Sequence, residues 1–236
     1  MAGTISVKIV TTDFIEGAQH AEGIVVIIDV FRAFSVACYC LAQSPRQVIA
    51  VGEAEQALAL KAKRPDTLLI GEREGKKLPG FDVGNSPTEL ASQALKNRYI
   101  AHTTHAGTQG LVNALKADKI LTGALVNASA TANYIRSLNP TVVTLVRMGW
   151  KAEERTDEDD LCAEYLAHCL REEPVDTALL KARLLASPCA SRFLDPAQPW
   201  NPESDLHFCL DIDRFDFAIE ALPNTDGTVA LRQVKP

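Results

Sequence analysis

Seven short β-branched runs, ISVKIV, IVVIID, QVIAV, TLLIG, RYIAH, KILTG and TVVTLV, recur along the chain, each followed by a stretch of helical character or by a loop. This alternation predicts an α/β architecture: a three-layer α/β/α arrangement with a largely parallel or mixed sheet covered by helices on both faces. IVVII and VVTLV are near-continuous apolar runs, as expected of strands buried on both faces. No repeat or low-complexity segment interrupts the rhythm, and residues 1–236 are read as one α/β domain. Ser187 to Pro202 is rich in proline and reads as a long surface connection. The stretch FCLDIDRFDFAIEALPNTDGTVALRQV predicts a helix or strand, a turn at Asn224 to Gly227, and a final strand.

Charge and composition exclude several classes. The net charge of −6 is spread along the chain with no basic stripe, so nucleic acid is not an expected partner. The long apolar run IVVIIDVFRAFSVACYCLA contains Asp29 and Arg32, and reads as a buried strand and helix rather than a membrane span. MAGTISVKIV lacks the basic-then-apolar build of a secretory signal, and the six cysteines show no paired metal-ligand spacing. A soluble, cytoplasmic protein with free thiols is expected. A homodimer is expected only on base rates for an enzyme of this size.

In an open α/β sheet ligands collect at the carboxyl ends of strands. Here those ends deliver Asp29 and Arg32 after IVVII, Glu72 after TLLIG, Thr103 and Thr104 after RYIAH, and Arg147 after TVVTLV. Exposed strand ends are polar in any protein, but Asp29 interrupts an apolar run where an unpaired charge is costly, so it needs Arg32 or a cation beside it. The stretch GEREGKKLPGFDVGNSPTE ends in a helix start, with Ser86 as N-cap, Pro87 at the first helical position and Glu89 three residues after the cap. Free N–H groups there, with Asn85 and Ser86, suit an anion; an ordinary capped helix after a flexible loop is an equal reading.

IIDVFRAFSV, GEREGKKLPGFDVGNSPTE, THAGTQG, EDDLCAEYL and DLHFCLDID, taken together, resemble the 2-phosphosulfolactate phosphatase family, from about Val25 to Asp213. The resemblance implies an α/β/α fold and Mg²⁺-dependent hydrolysis of the phosphate monoester of a small sulfonated hydroxy acid, a step associated with coenzyme M synthesis. It matches Asp29 and Arg32 to the first motif, and Glu72, Gly75, Phe81, Asp82, Asn85, Ser86 and Pro87 to the second. Thr103, Thr104, Gly107 and Thr108 match a Thr-rich segment in which His105 stands where Asn is usual, and Asp159 and Cys162 match the late acidic motif. Hydrolysis of a phosphate dianion calls for donors on the equatorial oxygens, a metal, and an acid for the leaving alkoxide. Glu72, Asp82 and Asp159 are the expected Mg²⁺ ligands. Arg32, Asn85 and Ser86 are expected on the phosphoryl group, Arg147 on the substrate's acidic groups, and Asp29 as nucleophile or metal ligand. Asp29, Arg32 and Asp159 are thus the catalytic candidates, and the expected partner is a small phosphorylated anion.

Competing readings were open at several positions. Asp82 also suits an Asx-turn beside Gly84. ERTDEDD suits a solvated helix start, and Cys162 a buried core thiol. His102 and His105 form HxxH without a third ligand, which argues against zinc. A haloacid-dehalogenase phosphatase is excluded because Phe31 stands where its second Asp is needed. The non-enzymatic alternative is a binding protein for a phosphorylated or sulfonated metabolite; the four acids Asp29, Glu72, Asp82 and Asp159 speak against it.

Overall fold

The computed structural model describes residues 7–236. Residues 1–6, which include the start of the ISVKIV run and of the segment read for a secretory signal, lie outside the described residues. In chain order the elements are β1 (Lys8–Asp13), α1 (Phe14–His20), β2 (Ile24–Ile28), α2 (Ala33–Leu41), β3 (Gln47–Ala50), α3 (Ala54–Lys63), β4 (Leu68–Arg73), β5 (Lys76–Lys77), α4 (Pro87–Ala91) and β6 (Tyr99–Thr103). There follow α5 (Gly107–Asn113), β7 (Lys119–Gly123), α6 (Ala128–Ser137), β8 (Val142–Arg147), α7 (Asp157–Leu170), α8 (Thr177–Leu185), α9 (Pro188–Leu194), α10 (Glu203–Cys209), β9 (Ala218–Pro223) and β10 (Val229–Val234). All seven β-branched runs form strands, and the turn before the last strand falls where Asn224 to Gly227 predict it. Ser187 to Pro202 departs from the reading as a connection: Pro188 opens α9, with Ser187 as its N-cap.

The strands form a mixed sheet in the order β1-β8-β2-β7-β9-β10-β3-β6-β4-β5. Two parallel blocks, β1-β8-β2-β7 and β3-β6-β4, are joined by the antiparallel pair β9 and β10. Because the β7-β9, β9-β10 and β10-β3 pairings are all antiparallel, the two blocks run in nominally opposite directions. Six steps separate β2 from β4 in this order. At roughly 20–25° per step the accumulated twist is roughly 120–150°. Twist of that size turns the carboxyl ends of both blocks toward the same side.

Helices cover both faces. Alternation along β2 divides its side chains: Val25 and Ile27 pack with Phe34 and Leu111 on one face, whereas Ile24, Val26 and Ile28 pack with Leu125, Leu161 and Leu166 on the other. A smaller cluster around Val51, Leu69, Phe81 and Ala101 lies under α3. All six cysteines are free, and Cys162 is a buried core thiol on α7, as its place in the helix predicts. Among the described residues no helix is long and apolar enough to cross a membrane.

One buried polar group within this core makes the stability of the fold depend on pH. His102 on β6 is 1% exposed, and its Nε2 lies 3.2 Å from Asn85 Oδ1. Burial lowers its pKa from 6.5 to about 4, so the ring is neutral in the fold. A depressed histidine stabilises the fold fully above its unfolded pKa, and that contribution is lost as pH falls from there through the folded pKa. Between pH 7.5 and 5 this one group removes about 2 kcal/mol. Urea unfolding at the two pH values is expected to show that loss in the wild-type chain and a smaller one in His102→Gln, which keeps a donor for Asn85 without a titrating ring.

Candidate active site

The carboxyl ends of β2, β4, β6 and β8 meet at a solvent-open cleft. The segment after β2 contributes Asp29, Phe31 and Arg32; the end of β4 contributes Glu72; the segment after β6 contributes His105 and Ala106; and the segment after β8 contributes Gly149, Trp150 and Lys151. Arg192 of α9 and Asn201 close the remaining side.

Asp29 lies at the floor, 7% exposed. Its Oδ1 accepts from the backbone N–H of Ala33 at the start of α2. Its Oδ2 is approached so closely by Gly107 that a Cβ there would lie 2.7 Å from it, which accounts for glycine at that position. Burial pushes the carboxyl up to about 7, with the charges of Glu72 and Glu158 adding and the Ala33 N–H and Arg192 opposing. Glu72 is equally buried, and both its oxygens are held by backbone: Oε2 accepts from Gly75 N at 2.7 Å and Oε1 from His105 N at 2.8 Å. Glu74 and Gly75 both have positive φ, forming a two-residue hairpin turn between β4 and β5 that aims the Gly75 N–H back at Glu72. The start of the polar stretch is therefore a tight hairpin whose purpose is to grip one carboxylate.

The remaining predicted residues divide into those that reach the cleft and those that support it. Asn85 reaches it: its Oδ1 faces His102, leaving its amide N–H groups without a protein partner among the described residues. Arg32 also lines the cleft, but its guanidinium is committed, with Nη1 donating to Asp205 Oδ2 at 2.5 Å and to Trp200 O, and Nη2 to Gly75 O. Asp159 does not line the cleft; its Oδ1 accepts from Val30 N and its Oδ2 from Gly149 N, clamping the end of β2 to the end of β8. Burial and its neighbours Glu158 and Asp29 raise its pKa.

Asp82 does not line the cleft either. Its Oδ2 accepts from Leu69 N and Lys61 Nζ on the side under α3, and it is 38% exposed. Arg147 pairs with Asp13 and Asp160, away from the cleft. Thr103 donates to Gly52 O, while Thr104 and Thr108 bond one another's backbone across the turn into α5. These threonines build the turn that presents His105, Ala106 and Gly107. Ser86 caps α4 as predicted, yet the anion at that helix start belongs to the protein: Asp205 Oδ1 accepts from Ser86 Oγ and Thr88 N, both at 2.9 Å.

Four residues absent from the sequence-based set shape the site. Asp205 was visible inside DLHFCLDID but carried no assigned role. Arg192 and Asn201 lie in the stretch read as a surface connection, where proline content masked a short helix. Glu158, 3% exposed and 3.6 Å from Arg192, stood in an acidic run that reads as solvated.

Two carboxylates, an open amide and several cations at the carboxyl ends of parallel strands make this an α/β enzyme site suited to a small anion. The family model of 2-phosphosulpholactate phosphatase matches residues 9–222. A probable 2-phosphosulfolactate phosphatase of Bacillus subtilis (strain 168) is 32% identical over 220 residues, covering 91% of this chain and 94% of the relative. Proteins of the same name from Caldanaerobacter subterraneus subsp. tengcongensis and Clostridium tetani are 32% identical over 220 residues and 36% identical over 166 residues, covering 87% and 70% of this chain and 90% and 70% of those relatives. The fold and site define a phosphoric monoester hydrolase. The chain belongs to the 2-phosphosulpholactate phosphatase family.

Two outcomes separate the cleft acids from the distant one. A folded-state pKa raised to about 7 means that Asp29 stabilises the fold fully below its ordinary value of 3.8, and that this is lost as pH rises through 7. Asp29→Asn is therefore expected to abolish phosphatase turnover while raising the melting temperature at pH 8 in EDTA. Asp82→Asn is expected to leave turnover unchanged and to lower stability by about 1 kcal/mol in urea unfolding, because Lys61 loses its charged partner.

Proposed function

We propose that the cleft hydrolyses the phosphate monoester of a small acidic hydroxy acid, 2-phosphosulfolactate to sulfolactate and phosphate, with Mg²⁺ as cofactor. The observation that carries this reading is Asp29, a buried carboxylate beside a second one, Glu72, at the floor of the cleft in a chain of this family. Two buried acids that raise each other's energy fit a divalent cation. Mg²⁺ asks for only one or two carboxylates plus water and substrate oxygens. Asp29 and Glu72 would hold the ion; when bound it would neutralise phosphoryl charge and lower the pKa of the attacking water.

The chain's own groups do the rest. The Asn85 amide donates to a phosphoryl oxygen, and the committed Arg32 keeps the cleft wall in place while adding positive potential. Hydrolysis adds the oxygen of water to phosphorus and breaks the ester P–O bond; the leaving alkoxide takes its proton from His105, one proton of the water stays on the phosphate, and the other passes through solvent to restore the ring. Support for that role is that the His105 ring lines the cleft and its buried Nδ1 has no protein partner among the described residues. Glu72 fixes the His105 backbone, which couples the acid to the metal-binding wall.

The test is phosphate release from a panel of small phosphomonoesters, including 2-phosphosulfolactate, with Mg²⁺ and with EDTA. Turnover lost in EDTA and highest for the sulfonated ester is the expected result. Preference for another ester would replace the substrate and keep the mechanism, and binding without turnover of any ester would leave only a metabolite-binding role.

A further inference from the structure

The two arginines predicted to meet the substrate, and the cleft lysine Lys151, are largely engaged by the protein. Arg32 is held by Asp205 and two carbonyls, Arg147 by Asp13 and Asp160, and Lys151 by Glu74 at 2.5 Å. Arg32 keeps only its Nε–H and one Nη2–H without a protein partner among the described residues, so the guanidinium most open to a phosphate dianion in this cleft is that of Arg192. Its Nη2 donates to Phe31 O at 2.9 Å, two residues beyond Asp29, and Glu158 Oε1 stands 3.6 Å from the same nitrogen. Its Nη1 has no protein partner among the described residues, and its buried Nε has none either.

The setting of this side chain is that of a held group rather than a mobile surface arginine. The guanidinium carbon lies 5.0 Å from the Trp150 ring centroid, 5.2 Å from that of Phe193 and 5.9 Å from that of Phe31. Aromatic neighbours fix the plane of a guanidinium and leave its edge to bond, and a planar fork matches two oxygens of one phosphoryl group. Its side chain is 18% exposed and the residue lines the cleft with Asp29. Glu158, on the buried side, offsets the charge of the arginine when no substrate is present.

We propose that Arg192 is a catalytic residue that binds the non-bridging oxygens of the substrate's phosphoryl group, with Glu158 as the residue that positions it. This rests on the phosphatase reading above. A donor of this kind acts where charge sits in the transferring group, so its loss affects every ester alike, whatever second acidic group the substrate carries. An arginine that instead read the sulfonate would affect only esters bearing it.

Three variants, Arg192→Lys, Arg192→Ala and Glu158→Gln, serve as the test after their folding is checked by melting temperature and circular dichroism. Arg192→Ala is expected to lower kcat by about 10²- to 10³-fold for sulfonated and unsulfonated phosphomonoesters in equal measure. Arg192→Lys is expected to recover little of that loss, since a point charge does not replace a fork, and added guanidinium chloride at low concentration is expected to restore part of it in Arg192→Ala. Glu158→Gln is expected to weaken rescue-independent turnover less than Arg192→Ala does. Calorimetric binding of inorganic phosphate and of orthovanadate to the unmodified chain and to Arg192→Ala gives a readout that needs no turnover, with at least tenfold weaker binding expected in the variant. Unchanged oxyanion binding and unchanged kcat in folded Arg192→Ala would overturn the assignment while leaving the phosphatase reading intact, as would a loss confined to the sulfonated ester. Failure of the unmodified chain to hydrolyse any ester would instead count against the phosphatase reading, and the oxyanion titration would then decide Arg192 by itself.

Discussion

The buried ion pair between Arg32 and Asp205 holds the site together. Both side chains are almost fully buried, and between them they bond the Trp200 carbonyl, the hairpin turn at Gly75, and the Ser86 and Thr88 start of α4. Arg32 follows β2 in one parallel block, and Gly75 follows β4 in the other. The pair therefore fastens the two blocks to one another at the cleft. A buried pair of this kind adds little net stability over a packed apolar core, but breaking one side of it costs about 3–5 kcal/mol because the partner charge is stranded. Its value here is geometric: the other bonds that the two side chains make all go to segments that line or frame the cleft.

Against that frame stand acids that destabilise it. Asp29, Glu158 and Asp159 are each buried, and burial raises the pKa of all three. Asp159 is reconciled with its surroundings by two backbone N–H groups, and Glu158 by Arg192, but Asp29 receives only one backbone donor on Oδ1. Strain of this sort concentrates where chemistry is done, and availability is decided by where the carboxylate stands: Glu72 accepts one backbone N–H on each oxygen, as Asp159 does, but lines the cleft, whereas Asp159 is enclosed between the ends of β2 and β8. The contrast between Asp159 and Asp29 shows it within a single site: similar burial, different partners, different availability.

The strands and the turn before the last of them were legible because β-branched periodicity and Asn-Asp-Gly chemistry are local signals. Asp29 was legible for a related reason, as a charge in an apolar run has few explanations. Partnership was not legible. Asp82 and Asp159 sit in motifs as plausible as that of Asp29, and only three-dimensional contacts show that Leu69 and Lys61 take the first, and Val30 and Gly149 the second. The same holds for Ser86, whose capping signature correctly marked a helix start that attracts an anion, but whose anion is Asp205, 119 residues away. Arg192 was hidden by composition: prolines at its flanks read as a loop, whereas Pro188 is in fact at the first position of a helix.

The antiparallel pair β9 and β10 lies between the two parallel blocks, although both strands come after every other strand in the chain. Until this pair is in place, the block ending in Asp29 and the block ending in Glu72 have no hydrogen-bonded connection through the sheet. During synthesis each block has its own complete set of parallel pairings before the ribosome reaches Ala218. The pairing that unites the sheet is thus the last available in chain order, and it adds to contacts the two blocks make directly at the cleft, where Gly107 lies against Asp29 and Arg32 donates to Gly75 O. Continuity of the sheet between Asp29 and Glu72 therefore rests on the two strands that come latest in the order of the elements.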